Sequence, residues 1–336
     1  MLPAPRELTL LLTDLYLDAE LREAAAEASA PGLPGLELVL ARASSRESLD
    51  WRSLAMRIAG AAPLAPLPVA ALSRAAAEGA DLRGQWWVAT AVELEAAHDH
   101  VQLSQVLSLP DDEWAALAEG FNRTFGAGTC ELEQGQGAEA YLRFDEALSA
   151  SGVDPVRVAG GDVHGALPGG EQGHVLRRLM TEVQMWLHEH PLNDERRARG
   201  AAPVTGLWLW GGGELPPRPP PTLLPALASR DRFLQGLWRW AGSQPALLEP
   251  TFSAARKAAH ESGCIAAITM REQSGESWAE RLVAIDREWL TPALAAVRAG
   301  TLAALRVHAS DHLFTVRGRD LWRIWRRPRP WLEALA

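Results

Sequence analysis

The residues best suited to chemistry in this chain follow short apolar runs. Asp14 and Asp18 come after ELTLLLT (7–13), and Gly211 to Glu214 after LWLW (207–210). Arg271 and Glu272 come after IAAITM (265–270), and His308, Asp311 and His312 end LAALRVHASDH (302–312). Carboxylate and imidazole side chains bind divalent ions. Asp14, Asp311 and His312 therefore form part of a metal site if their strands are neighbours; otherwise such loop-end acids cap helices and face water. In HEHPLNDERRARG (188–200), Asn193 and Arg196 are three residues apart on one side of an expected helix, so both can face a crevice and bind a ligand. The arginine run 196–199 reads equally well as a solvated helix end.

Other motifs say less. WGGGELP (210–216) lacks both the lysine of a P-loop and the G-x-G-x-x-G spacing before a helix. Its glycines let the backbone turn tightly and approach another segment closely. His98/His100 and His188/His190 are spaced i, i+2, which splays the rings on a helix; surface or capping positions suit them. No G-x-S-x-G elbow occurs, so serine-hydrolase chemistry has no support. Six of the 14 tryptophans lie in LWLW, LWRW and LWRIW, where they suit core packing or a partner surface.

These residues must be carried by elements of a large chain. At 336 residues it can bury one large core or two smaller ones. A net charge of -9 disfavours general nucleic-acid binding. Cys130 and Cys264 are too few for a disulfide framework or a cysteine-rich metal site. No segment reaches the roughly 18 apolar residues of a membrane span. The first residues lack the basic start and small-residue cleavage site of a signal peptide, so a cytoplasmic protein is expected.

ELTLLLT, GLWLWG, CIAAITM and LAALRV read as buried strands of one sheet. Helices are expected at 18–30, 45–59 and 67–78, with PGLPG (31–35) as a turn. A long helix bent at Pro292 is expected before the last strand, and a hairpin around Arg317-Gly318 after it. The character changes at Gly84, where QWWVATAVEL and VQLSQVL read as strands and GTCELEQ with AYLRF as a hairpin. The pattern predicts an α/β fold, a mainly parallel sheet with helices on both faces, formed by 1–83 and 201–336. Residues 84–200 are expected to form an inserted α+β domain.

Several of these segments together resemble the archaeal-type cofactor-independent phosphoglycerate mutases of the alkaline phosphatase superfamily. HPLNDERRARGAAPVTGLWLWGGGELP (190–216) is similar to that family's histidine-proline-x-asparagine, arginine, glycine, strand-glycine pattern. DRFLQGLWRWAG (231–242) resembles the helix that follows, and the Asp311-His312 tail resembles the family's last strand. LLTDLYLD (11–18) is similar to the first strand and its metal-binding aspartate, without the glycine expected after Asp14. The chain is most similar to the RpfE-type regulatory proteins, a bacterial offshoot.

The resemblance implies an alkaline-phosphatase-like core, and the departures from it bear on activity. Active relatives carry an aspartate and a histidine four residues apart after the strand matching IAAITM; here Arg271 and Gly275 stand there. The nucleophilic serine has no clear counterpart among Ser44, Ser45 and Ser53, and LFTVRGRDLWRIWRR (313–327) replaces a histidine-rich motif. Asp14, Asp311 and His312 would suffice for a single divalent ion, Mn or Zn, but not for the two ions that activate the serine and stabilise the phosphoryl group. Arg271 could then hold an anion in place of a cation. The expectation is a degenerate phosphoglycerate-mutase-like protein with a regulatory or ligand-binding role, taking a phosphorylated or carboxylate small molecule through Asn193, Arg196 and Arg271. The alternatives are a metal-dependent mutase or phosphatase with a rearranged site, and a scaffold that binds a protein partner through the Trp/Arg-rich C-terminus (321–331). No nucleic-acid or membrane partner is expected.

Overall fold

The computed structural model describes residues 6–16, 30–97, 100–126, 130–135, 139–243, 248–269 and 277–335. In chain order the strands are β1 (Glu7–Leu12), β2 (Ser45–Ser48), β3 (Gln85–Ala96), β4 (Val101–Val106), β5 (Cys130–Gln134), β6 (Ala140–Phe144), β7 (Gly206–Gly213), β8 (Ala226–Ala228), β9 (Cys264–Ile268), β10 (Ala304–Ala309) and β11 (His312–Arg317). The chain divides into two compact units, Met1–Pro63 with Arg218–Ala336, and Leu64–Pro217. The second unit thus begins before residue 84 and ends after residue 200.

The first unit is a mixed α/β structure around a six-stranded sheet of order β2-β11-β10-β1-β9-β8. The pairs β10–β1, β1–β9 and β9–β8 are parallel, while β11 pairs antiparallel with β10 and β2. Strand β1 lies inside this sheet and is buried on both faces: Leu8, Leu10 and Thr9 are at 0% exposure and Leu11 at 1%. That is why ELTLLL runs apolar almost without alternation. One face joins a core with Leu36 and Val39 of helix Pro34–Arg42, Ala255, Leu290 and Trp331.

That helix starts inside PGLPG, where the sequence suggests a turn. Its N-terminus is capped from far along the chain. Asp286 accepts the N–H groups of Gly35 (3.0 Å) and Leu36 (2.7 Å). A Cβ on Gly35 would lie 2.8 Å from an Asp286 oxygen, so glycine is what permits the approach. Asp286 opens a π-turn, Asp286–Leu290, joining helices Trp278–Ile285 and Thr291–Arg298. Just before Pro292, where the sequence suggests a bend, the helix widens into this π-turn: proline lacks the N–H that would continue the α-helical ladder, and a wider turn accommodates it. Residues 45–48 form strand β2 instead of opening a helix, and the helix there is Trp51–Ile58. The expected helix 18–30 lies almost wholly outside the described residues.

The second unit holds a separate five-stranded sheet, β4-β3-β6-β5 with β7 paired to β3. This corrects the expectation that 206–210 belongs to the sheet of β1. Strand β7 is antiparallel to β3, with Leu209 opposite Ala89. A buried apolar strand can complete any sheet offering a free edge and an apolar face, so LWLW alone does not choose. Its core includes Trp87, Trp114, Phe121, Leu142, Leu187 and Leu209. Helices Asp111–Phe125 and Gly173–His188 contribute to that core.

Candidate functional site

Three neighbouring strands of the first unit present their carboxyl ends at one edge. Ligands bind beyond this edge in open parallel sheets. Beyond β1, the Thr13 N–H donates to the Ile268 carbonyl of β9 (3.2 Å), and the Ser310 N–H donates to the Leu15 carbonyl (3.0 Å). Asp14 and Asp311 therefore share an edge, as expected from sequence. The Thr269 hydroxyl, just past β9, donates to Asp14 Oδ2 at 2.7 Å.

The Asp-His pair sits in a hairpin. Ala309 pairs with His312, leaving Ser310 and Asp311 as a two-residue turn with φ of 47° and 57°. Two left-handed residues in succession are the signature of a type I′ connection. The hairpin thus turns at 310–311, not at Arg317-Gly318, and His312 is the first residue of β11. Its Nδ1 lies 2.7 Å from the Ser310 carbonyl. A carbonyl only accepts, so Nδ1 carries the proton and Nε2 is the nitrogen able to bind a cation. His308 is wholly buried, with Nε2 2.7 Å from the Leu49 carbonyl.

These residues do not fit a metal centre as a set. Among the described residues, no three His, Cys, Asp or Glu side chains converge so as to hold an ion. Asp14, Asp311 and His312 do not appear as such a group. Asp14 and Asp311 share the edge, and the Thr269 hydroxyl already donates to Asp14. Arg271, Glu272 and Gly275 lie outside the described residues.

Asn193 and Arg196 lie in the second unit, on helix Pro191–Ala198, and both are buried. Asn193 Nδ2 donates to the carbonyls of Leu187 (2.8 Å) and Val204 (2.9 Å), and Oδ1 accepts the Val204 N–H (2.8 Å). Arg196 Nε donates to the Ala202 carbonyl at 2.7 Å. The Glu113 carboxylate, 4% exposed, is held by both Arg196 and Arg199. Neither Asn193 nor Arg196 presents its polar groups to a crevice; both tie the approach to β7 onto the unit. His190 caps the same helix, its Nδ1 accepting the Leu192 N–H at 3.2 Å, and burial pushes its pKa down.

The glycines that follow β7's tryptophans have a packing reason. Gly211 and Gly212 together oppose the single residue Trp87 of β3, which makes a bulge. Gly211 has φ 60°, and a Cβ there would meet Val69 at 2.7 Å. A Cβ on Gly212 would fall 2.2 Å from the Trp87 ring. The bulge borders a cavity of about 400 Å³ lined by Gln85, Ser149, Ser151, Gly212, Gly213 and Glu214. Gln85 itself is occupied with both backbone polar groups of Leu148. Sequence reasoning passed over Thr269 and Glu113. Thr269 was signalled only by its place one residue past a strand, and Glu113 reads as one of three acids in a helix's first turn.

No protein-family model matches the chain. Over 111 residues, 33% of its length, it is 27% identical to the 2,3-bisphosphoglycerate-independent phosphoglycerate mutase of Methanothrix thermoacetophila, and the match covers 28% of that protein. Over 62 residues, 18% of its length, it is 32% identical to the mutase of the same name from Methanosarcina barkeri, covering 16% of it. The chain thus matches less than a third of either relative's length. Among solved structures, it is similar to the cofactor-independent phosphoglycerate mutase from Thermoplasma acidophilum: TM-score 0.41, 15% identity, 93% of this chain and 90% of that one. It is also similar to the PH0037 protein from Pyrococcus horikoshii: TM-score 0.48, 15% identity, 95% and 90%. Over part of its length, then, the chain is similar at low identity to archaeal cofactor-independent phosphoglycerate mutases.

Proposed function

We propose that this is a degenerate phosphoglycerate-mutase-like protein with an alkaline-phosphatase-like core, related to the RpfE-type regulatory offshoot. Its first-unit edge binds a phosphorylated or carboxylate small molecule without turning it over. The observation that carries this is the state of Asp14. It stands at the carboxyl edge of β1, where the family places a metal-binding aspartate, but the Thr269 hydroxyl donates to it and no three-donor group gathers there among the described residues. Phosphoryl transfer of this kind requires a positioned nucleophile and a preorganised positive centre for the equatorial oxygens. The candidate serines offer no such nucleophile: the Ser44 hydroxyl donates to the Thr315 carbonyl, Ser45 lies in exposed strand β2, and Ser53 is in the first turn of a helix capped by Asp50. The guanidinium of Arg271 supplies the positive charge in place of a cation.

The test is a mutase assay with added Mn, paired with calorimetry for 3-phosphoglycerate. Binding without turnover, lost in Arg271→Ala, supports the reading. Metal-dependent turnover of about 1 s⁻¹ or more, the low end of ordinary enzyme rates, refutes it in favour of a mutase or phosphatase with a rearranged site.

A further inference from the structure

The segment after β11 departs from the economy of the rest of the surface. Trp322 is 79% exposed, Ile324 73% and Trp325 74%. Three large apolar side chains within four residues would bury on the order of 400 Å² if covered, which is the scale at which surface patches mark contact sites. The segment is held on both sides. The buried carboxylate of Asp320 accepts the Arg317 N–H (2.9 Å) and pairs with Arg323 (3.1 Å). Arg323 and Arg326 both donate to the Ala43 carbonyl, at 3.2 and 3.1 Å, at the end of helix Pro34–Arg42. Trp331 is buried, and its indole N–H donates to the Pro31 carbonyl at 2.9 Å. The indoles are therefore presented by a braced loop, and a partner would not have to order it first.

Charge selects the partner. Residues 317–329 contain six arginines and one acid, Asp320, in a chain of net charge -9. The exposed Arg319, Arg327 and Arg329 have no carboxylate partner among the described residues. A second copy meeting this patch through the same patch would set arginine against arginine. An anionic bilayer would face a whole side of an acidic molecule, whereas a short peptide meets only the basic loop. Tryptophan and arginine are also the residues that most often dominate protein interfaces.

We propose that the loop 318–329 is a docking surface for an acidic, apolar-containing segment of a partner protein. Its indoles and Ile324 take the apolar side chains, and its free arginines take the carboxylates. The test is fluorescence anisotropy of a labelled short peptide alternating glutamate with leucine, titrated with the full chain. Saturable binding is expected, weakening about tenfold or more between roughly 0.05 and 0.3 M salt as the charges are screened. Trp322→Ala with Trp325→Ala, and separately Arg327→Glu with Arg329→Glu, should each weaken binding about tenfold. None of these four side chains is buried, so melting should be unchanged. Ile324→Ser reads the apolar arm by a milder change if the double tryptophan variant loses solubility. A lysine-for-glutamate peptide should not bind, and phosphatidylcholine–phosphatidylglycerol vesicles should not sediment the chain. The proposal is overturned by absent saturable binding, by affinity indifferent to both sets of substitutions, or by preference for the vesicles.

Discussion

Replacing Asn193 with alanine separates a structural role for this residue from the ligand role its motif suggests. Asn193 is 1% exposed and makes three hydrogen bonds to the backbone, two of them to Val204. The Leu187 carbonyl keeps another donor, the His190 N–H at 3.1 Å, but the N–H and C=O of buried Val204 are both left without a partner. Each such group costs about 1–3 kcal/mol, so Asn193→Ala should destabilise the second unit by roughly 2–6 kcal/mol. With a urea slope of about 2 kcal/mol per molar, the midpoint should fall by roughly 1–3 M. Asn193→Asp should do no better: it keeps an acceptor for the Val204 N–H but turns a carboxylate oxygen toward two carbonyls. The assay is urea unfolding of the full chain, with exchange protection of the β3 and β7 amides identifying the second unit's transition. A midpoint within about 0.5 M of the unsubstituted chain for both variants corresponds to about 1 kcal/mol or less, and would refute the clamp.

Gly212→Ala drives a Cβ into the Trp87 ring and should cost at least about 3 kcal/mol, seen as lost soluble yield or a melt lowered by several degrees. Ser310→Asn should stabilise the hairpin by about 0.5 kcal/mol, because asparagine tolerates left-handed backbone better than serine; an unchanged or lowered melt counts against the type I′ assignment. Burial raises the Asp286 pKa above its ordinary 3.8, against the lowering effect of the Gly35 and Leu36 N–H groups. A raised carboxyl pKa means the folded state binds the proton more tightly, so this group's contribution to stability falls as pH rises through the raised value. Asp286→Asn should remove that slope from stability-pH curves taken from just below pH 3.8 upward. Burial pushes the Cys264 thiol up to about 12, so it should resist thiol reagents at pH 8 in the folded chain and react only on unfolding; rapid native labelling would show that β9 opens.

The three parallel strands β1, β9 and β10 were legible because burial leaves a plain mark: ELTLLL, CIAAI and ALRVHA are largely apolar runs, whereas the exposed SRES of β2 and the short ALA of β8 were not legible. That Asp14 and Asp311 meet at one edge followed from the same pattern, since parallel strands present the same end. Local sequence could not assign GLWLWGGG to a sheet. Its glycines are explained by Trp87, about 125 positions earlier, and by Val69, and only the folded β3–β7 pair shows the bulge that needs them. Nor could it show that Asp286 caps a helix starting at Pro34, which hides that helix behind what reads as a proline-glycine turn. The motif residues Asn193 and Arg196 were recognisable by type and spacing. What their polar atoms touch depends on Val204, Ala202 and Glu113, and those distances exist only once the unit has closed around them.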